Sequence, residues 1–220
     1  MTLRRIIISC ALSGAIATGA IAVPATAGAS PSVASAPGYV KTGRDPLAVY
    51  ADSAMNAYMR FVESGGQYAL DEFASIRDAI ALEAARRLGI DGAGLQVAWG
   101  DADLSHQVVL MSAMTQLGTP YRRTTSKPGV GFDCSGLTSW AWTQSGVALA
   151  RQSRAQINSI TPVTRDTAQA GDLVYYPGHV MLYLGVDDAV IHAPFTGRSV
   201  EFSLVKGSRS NSLRFGNPLG

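Results

Sequence analysis

Cys134 stands in Gly131-Phe132-Asp133-Cys134-Ser135-Gly136-Leu137, and the only other cysteine, Cys10, lies in an apolar leader-like segment. A lone thiol in an exported chain has no partner for an internal disulfide. It is buried and inert, paired between molecules, or chemically active. As an active group it would be a nucleophile, and only the thiolate attacks well. Two devices could favour that anion. The residues after Asp133 read as a helix from 134 to near 146, so the thiol would sit in the first turn among unpaired amides. Asp133 would cap that helix. A histidine from another element could then form an ion pair with the sulfur.

The chain holds three histidines, His106, His179 and His192. His179 opens an apolar run directly after Pro177-Gly178, and His192 sits near the end of Val190-Ile191-His192-Ala193. If the two runs pair antiparallel, the start of one faces the end of the other. Both imidazoles then share one sheet edge, as a base and the partner that orients it. His106 falls early in a helix and reads as a surface or packing residue. Taken singly, each histidine is a hydrogen-bonded structural residue and Cys134 a small buried hydrophobe; the combination favours a nucleophile with its base. One Cys and two His could instead bind zinc, but no C-x-x-C or H-x-x-x-H pair is present. There is no resolving cysteine for redox work and no Rossmann or P-loop fingerprint, so neither metal nor cofactor is expected.

The elements that must position these groups follow from pattern. Residues 1–27 carry Arg4 and Arg5, an apolar stretch from Ile6 to Val23, and Ala25-Thr26-Ala27, the form of a cleaved signal peptide rather than a spanning helix. Residues 28–40, rich in Ala, Ser, Pro and Gly, read as a disordered linker. A helical segment is expected over 41–103. Its first helix opens at Asp45-Pro46 and stops at Gly65-Gly66; its second runs from about 68 to 88 and ends at Gly89. Residues 89–102, glycine-rich around Trp99, read as irregular. A further helix is expected over 104–117, then strands at 173–176, 179–184, 190–193 and 199–202. Helices followed by a short antiparallel sheet make an α+β domain over 104–220, preceded by a helical hairpin.

Charge narrows the partners. The chain has 18 basic and 16 acidic residues. Two of the basic ones lie in the leader, so the remainder balances and nucleic acid is not an expected partner. The balance is uneven along the chain: residues 28–104 hold 6 basic and 10 acidic side chains, residues 105–220 hold 10 and 6. That asymmetry is consistent with the helical segment docking on the second half, or with ordinary surface variation. Past the leader no run is long enough to span a bilayer, so stable membrane insertion is not expected.

Leu117-Gly118-Thr119-Pro120-Tyr121, the Cys134 segment, Arg151-Gln152-Ser153-Arg154-Ala155-Gln156, Gly171-Asp172-Leu173-Val174-Tyr175-Tyr176, His179-Val180-Met181-Leu182-Tyr183-Leu184-Gly185 and Ile191-His192-Ala193 occur in that order. Together they resemble the NlpC/P60 cysteine peptidases over about 104–205. The resemblance implies a papain-like fold and secreted hydrolysis of peptidoglycan stem peptides at the cell wall, typically between γ-D-glutamate and the diamino acid. It implies Cys134 as nucleophile, His179 as general base and His192 as the residue orienting it. Tyr121 would help form the oxyanion site. Asp133 and Ser135 would line the cleft, and Arg151 would contact an acidic group of the peptide. Arg122-Arg123-Thr124-Thr125, Ala150 and Met181 depart from the family pattern and bear on the substrate pocket. Two other readings remain: an N-acetylmuramoyl-L-alanine amidase with the same triad, and a wall-associated binding or regulatory protein with a silenced site.

Overall fold

The structure is a computed structural model that describes residues 44–220. The signal-peptide and linker expectations over 1–40 lie outside the described residues. Helix α1 spans Pro46–Ser64. The Asp45 side chain accepts from the Leu47 amide at its start, Pro46 opens it, and Gly65 closes it at φ 66°. Helix α2 spans Gln67–Leu88 and ends on Gly89, with Arg86 and Arg87 in its last turn. The two pack through small residues, Ala48, Ala51, Ala54 and Ala57 on α1 and Ala81, Ala84 and Ala85 on α2, all of them buried. Arg87 ties the hairpin together by a bidentate pair with Asp45 at 2.8 and 3.0 Å.

Residues 89–102 depart from expectation. Gly92–Asp101 forms a helix, α3, despite three glycines. The Asp91 carboxylate caps it by accepting from the Ala93 and Gly94 amides at 3.1 and 3.0 Å. Trp99 is fully buried and donates its indole N–H to the Leu184 carbonyl at 2.8 Å. A good cap and one buried anchor outweigh the glycine penalty of about 1 kcal/mol per residue. Helix α4 follows at Leu104–Met114, shorter than the pattern implied. His106 on α4 is entirely buried. Its Nε2 lies 2.9 Å from Asp172 Oδ1, and its ring meets Trp142 edge-on at 4.9 Å, so packing is its role and the surface alternative is excluded.

A two-stranded ribbon, β1 Ser126–Lys127 and β2 Gly131–Phe132, leads into helix α5, Cys134–Thr143, and then helix α6, Ser153–Asn158. The main sheet contains β3 Thr161–Val163, β4 Leu173–Tyr176, β5 His179–Tyr183, β6 Ala189–His192, β7 Glu201–Leu204 and β8 Arg214–Asn217, in the order β3-β8-β4-β5-β6-β7. Every named pairing is antiparallel, which gives the α+β class expected. Strands β3 and β8 were not legible in the sequence, and β7 begins two residues later than expected. The sheet's inner face, with Leu173, Val180, Leu182 and Ile191, joins one core with Phe73, Leu95 and Trp99 from the N-terminal helices and Leu110, Leu137 and Trp142 from α4 and α5. The hairpin is thereby held to the sheet by shared apolar burial rather than by charge alone.

Candidate active site

Asp133 precedes α5 with extended backbone, and its Oδ1 accepts from the Gly136 amide at 2.7 Å. Cys134 is therefore the first residue of the helix, where amides lack internal partners. Gly136 is required by close approach. A Cβ there would lie 2.2 Å from the Thr125 carbonyl oxygen and 2.8 Å from Asp133 Oδ1. Arg151 lies over the same turn, with one guanidinium nitrogen 2.7 Å from Asp133 Oδ2 and another 2.9 Å from both Asp133 Oδ1 and Ser135 Oγ. The guanidinium expected to meet a substrate acid is thus already paired, though 46 % of the Arg151 side chain remains exposed. Asp133 and Ser135 are buried under it. Behind the turn, Gln156 Nε2 donates to the Ser135 carbonyl at 2.9 Å, and Gln156 Oε1 accepts from Thr138 at 2.7 Å.

The two histidines come together as the strand pattern anticipated. Leu182 pairs with Ile191 across β5 and β6, which brings the ends of the hairpin to one edge. His179 Nε2 and His192 Nδ1 are 2.8 Å apart, both residues buried. His192 Nε2 in turn lies 3.0 Å from Ser203 Oγ on β7. Ser203 was missed from the sequence, because nothing in its neighbourhood marks a serine on the next strand as a histidine's partner. Tyr176, opposite His179 in the β4–β5 register, lies against that ring at 5.3 Å between centroids.

Cys134 is close to this edge. The Val180 amide, next to His179, acts on the sulfur, and a negative charge on Cys134 would be felt at both Tyr176 and Tyr121. Among the described residues, no hydrogen bond joins Cys134 to His179. Tyr121 is held by its amide donating to the Arg198 carbonyl at 2.8 Å.

Electrostatics correct one expectation. The helix start suggested a ready thiolate, but burial pushes the Cys134 thiol up and Asp133 adds to that; the Val180 and Ser135 amides pull the other way without reversing it. Burial also drives His179 down to about 4, with Arg209 contributing, and His192 down to about 3, with His179 and Arg198 contributing. Desolvation penalises each charged form separately, so at neutral pH the resting site holds a thiol and neutral imidazoles. Among the described residues no group of three or more His, Cys, Asp or Glu side chains converges as a metal would need.

The family model described as NlpC/P60 family matches residues 118–215. Residues 118–215 are thus similar to the NlpC/P60 family. A Corynebacterium glutamicum (strain R) protein named "Probable endopeptidase" is 41% identical over 107 residues, 47% of this chain and 50% of that protein. The "Bifunctional muramidase/DL-endopeptidase CwlT" of Bacillus subtilis (strain 168) is 34% identical over 88 residues, 36% of this chain and 27% of that protein. The match thus spans half or less of the length of these curated relatives. A solved NlpC/P60 family protein from Bacillus cereus ATCC 10987 is 28% identical with a TM-score of 0.48, covering 52% of this chain and 40% of that one. The matched residues 118–215 include the buried imidazole pair and the thiol at the start of α5. Among the described residues no helix is long and apolar enough to cross a membrane.

Proposed function

We propose that this chain is a secreted cysteine endopeptidase that hydrolyses peptidoglycan stem peptides, at the bond between γ-D-glutamate and the diamino acid. The observation that supports it most is the row Ser203–His192–His179 ending beside a thiol at a helix start. Its hydrogen-bond directions are constrained. If Ser203 Oγ accepts from His192 Nε2–H, then His192 Nδ1 is free to accept from His179 Nε2–H. His179 Nδ1 is then the lone pair left for the Cys134 proton.

The reaction starts from a neutral pair. As the sulfur attacks the amide carbonyl, His179 Nδ1 takes the thiol proton, and His192 steadies the imidazolium. The tetrahedral oxyanion is held by the Cys134 amide and the Tyr121 hydroxyl. Collapse breaks the C–N bond, with His179 delivering its proton to the leaving amine. Water, deprotonated by His179, then cleaves the thioester, releasing the carboxylic acid and restoring the thiol. Arg151 holds Asp133 and Ser135, and so sets the position of Cys134; its exposed edge faces the peptide. Secretion to the wall rests on the leader reading of residues 1–27.

Digestion of defined muropeptides, with mass spectrometry of the fragments, tests the proposal. A new amine on the diamino acid, lost in Cys134→Ala, is the expected result. Release of intact stem peptide from muramic acid would identify an amidase instead. Retained binding with no cleavage by the unaltered protein would leave a wall-binding role.

A further inference from the structure

Arg209 lies in the 3-10 turn Gly207–Ser212 between β7 and β8, outside every motif singled out in the sequence. Its guanidinium lies over the Tyr176 ring, 5.4 Å from the centroid, and Tyr176 lies against His179. It is close enough for its charge to reach the His179 imidazole. Three arginines of this domain are neutralised: Arg151 pairs with Asp133, Arg165 with Asp188, and Arg198 with Glu201. Arg209 differs. Among the described residues its guanidinium makes no ion pair and no hydrogen bond. An exposed cation that stacks on a ring beside the candidate base, with its donors unspent, is built to meet an anion from outside.

The chemistry says which part of the substrate would reach it. His179 delivers a proton to the departing amine, so the leaving fragment lies on the His179 side of the sulfur. Tyr121 and the oxyanion lie on the acyl side. Arg209 lies over Tyr176, and Tyr176 lies against His179, which links Arg209 to the His179 side. The gap is two ring-stacking steps, which a diamino acid side chain or two to three extended residues at about 3.5 Å each can cross.

We propose that Arg209 forms a carboxylate-binding subsite for the leaving fragment, so that the enzyme selects a diamino acid with free carboxylates over its carboxamide. This rests on the endopeptidase reading and names the substrate form it prefers. A carboxamide keeps the shape of the ligand but loses the charge and the two-oxygen face that a guanidinium matches. A charge-assisted hydrogen bond of this kind supports about a tenfold or greater preference.

The test uses two γ-D-glutamyl–diamino acid peptides, one with the leaving-side carboxyls free and one with them amidated. Binding is measured calorimetrically to the full chain carrying Cys134→Ala, with and without Arg209→Gln, and cleavage is measured with the unaltered protein. Tighter binding of the free acid by about tenfold or more, abolished by Arg209→Gln and partly restored by Arg209→Lys, is the expected result. Arg123→Gln, on the Tyr121 side, leaves that preference intact. Equal affinity for the two peptides, or an Arg209→Gln loss that is the same for both, overturns the subsite and leaves Arg209 as packing for Tyr176. Discrimination in binding without cleavage keeps the subsite and sinks the endopeptidase reading; cleavage without discrimination does the reverse.

Discussion

Replacing Ser203 by alanine removes the hydroxyl 3.0 Å from His192 Nε2, the acceptor for that N–H in the proposed reactive tautomer. His192 is buried, 8% exposed, so its N–H then has two poor choices. It can stay unsatisfied, which costs about 1–3 kcal/mol. Otherwise the ring moves its proton to Nδ1, where it confronts the proton on His179 Nε2. Relieving that clash shifts the His179 proton to Nδ1, the atom that must receive the Cys134 proton. Either way the reactive tautomer lies about 1–3 kcal/mol above its present level, which predicts a fall in kcat of about 5- to 150-fold. KM should change little, since Ser203 lies behind His192. The assay is steady-state hydrolysis of a defined muropeptide by the unaltered protein, Ser203→Ala and Ser203→Thr, with circular dichroism to establish folding. Threonine keeps the hydroxyl and should recover most of kcat. A folded Ser203→Ala protein with kcat unchanged would refute the tautomer reasoning, and so would a Ser203→Thr protein as impaired as Ser203→Ala.

Other outcomes follow from the same structure. With His179 lowered to about 4, kcat/KM should stay level from about pH 6 to 8 and fall only near pH 4, where the imidazole is protonated and cannot accept the thiol proton. An acid limb centred near the ordinary histidine value of 6.5 contradicts this. Stability has the same sign: His179 and His192 bind protons more readily when unfolded, so acidification below 6.5 favours unfolding, by up to about 1.4 kcal/mol per pH unit for each histidine, until the folded-state values are reached. Urea titrations from pH 7 to 5 should show that slope, and His192→Asn should reduce it. Trp99→Ala empties a fully buried site and strands the Leu184 carbonyl, so a loss of about 3–5 kcal/mol is expected in denaturant unfolding; a loss under 1 kcal/mol would mean that α3 is not anchored there. Gly136→Ala forces a methyl to 2.2 Å from the Thr125 carbonyl, so the loop holding Asp133 must move. Activity should drop at least as sharply as stability, which the parallel assay and unfolding curve would reveal.

Much of the scaffold was legible because its signals are local. Asp45-Pro46 and Gly65 bracket α1, Asp133 caps α5, and Pro177-Gly178 turns β4 into β5, each within a few residues of the element it controls. Helix α3 was not, since its glycines argue against a helix and the decisive contact is Trp99 with Leu184, 85 residues away. Strands β3 and β8 escaped for a related reason. They pair with each other across more than fifty residues, and their short segments show no alternation to mark them.

The residue types and their order were enough to nominate Cys134, His179 and His192, and to place the thiol at a helix start, because nucleophile, cap and hairpin are near-neighbour properties of the chain. Protonation was not readable that way. A helix start alone favours an anionic sulfur, while burial by residues distant in sequence raises that thiol and lowers both imidazoles. Ser203 behind His192, Asp133 against Arg151, and Arg209 over Tyr176 likewise exist only once the strands and loops close on one another. Desolvation and charge act through space, so the folded molecule alone decides how the nominated groups are ionised and which partners they keep.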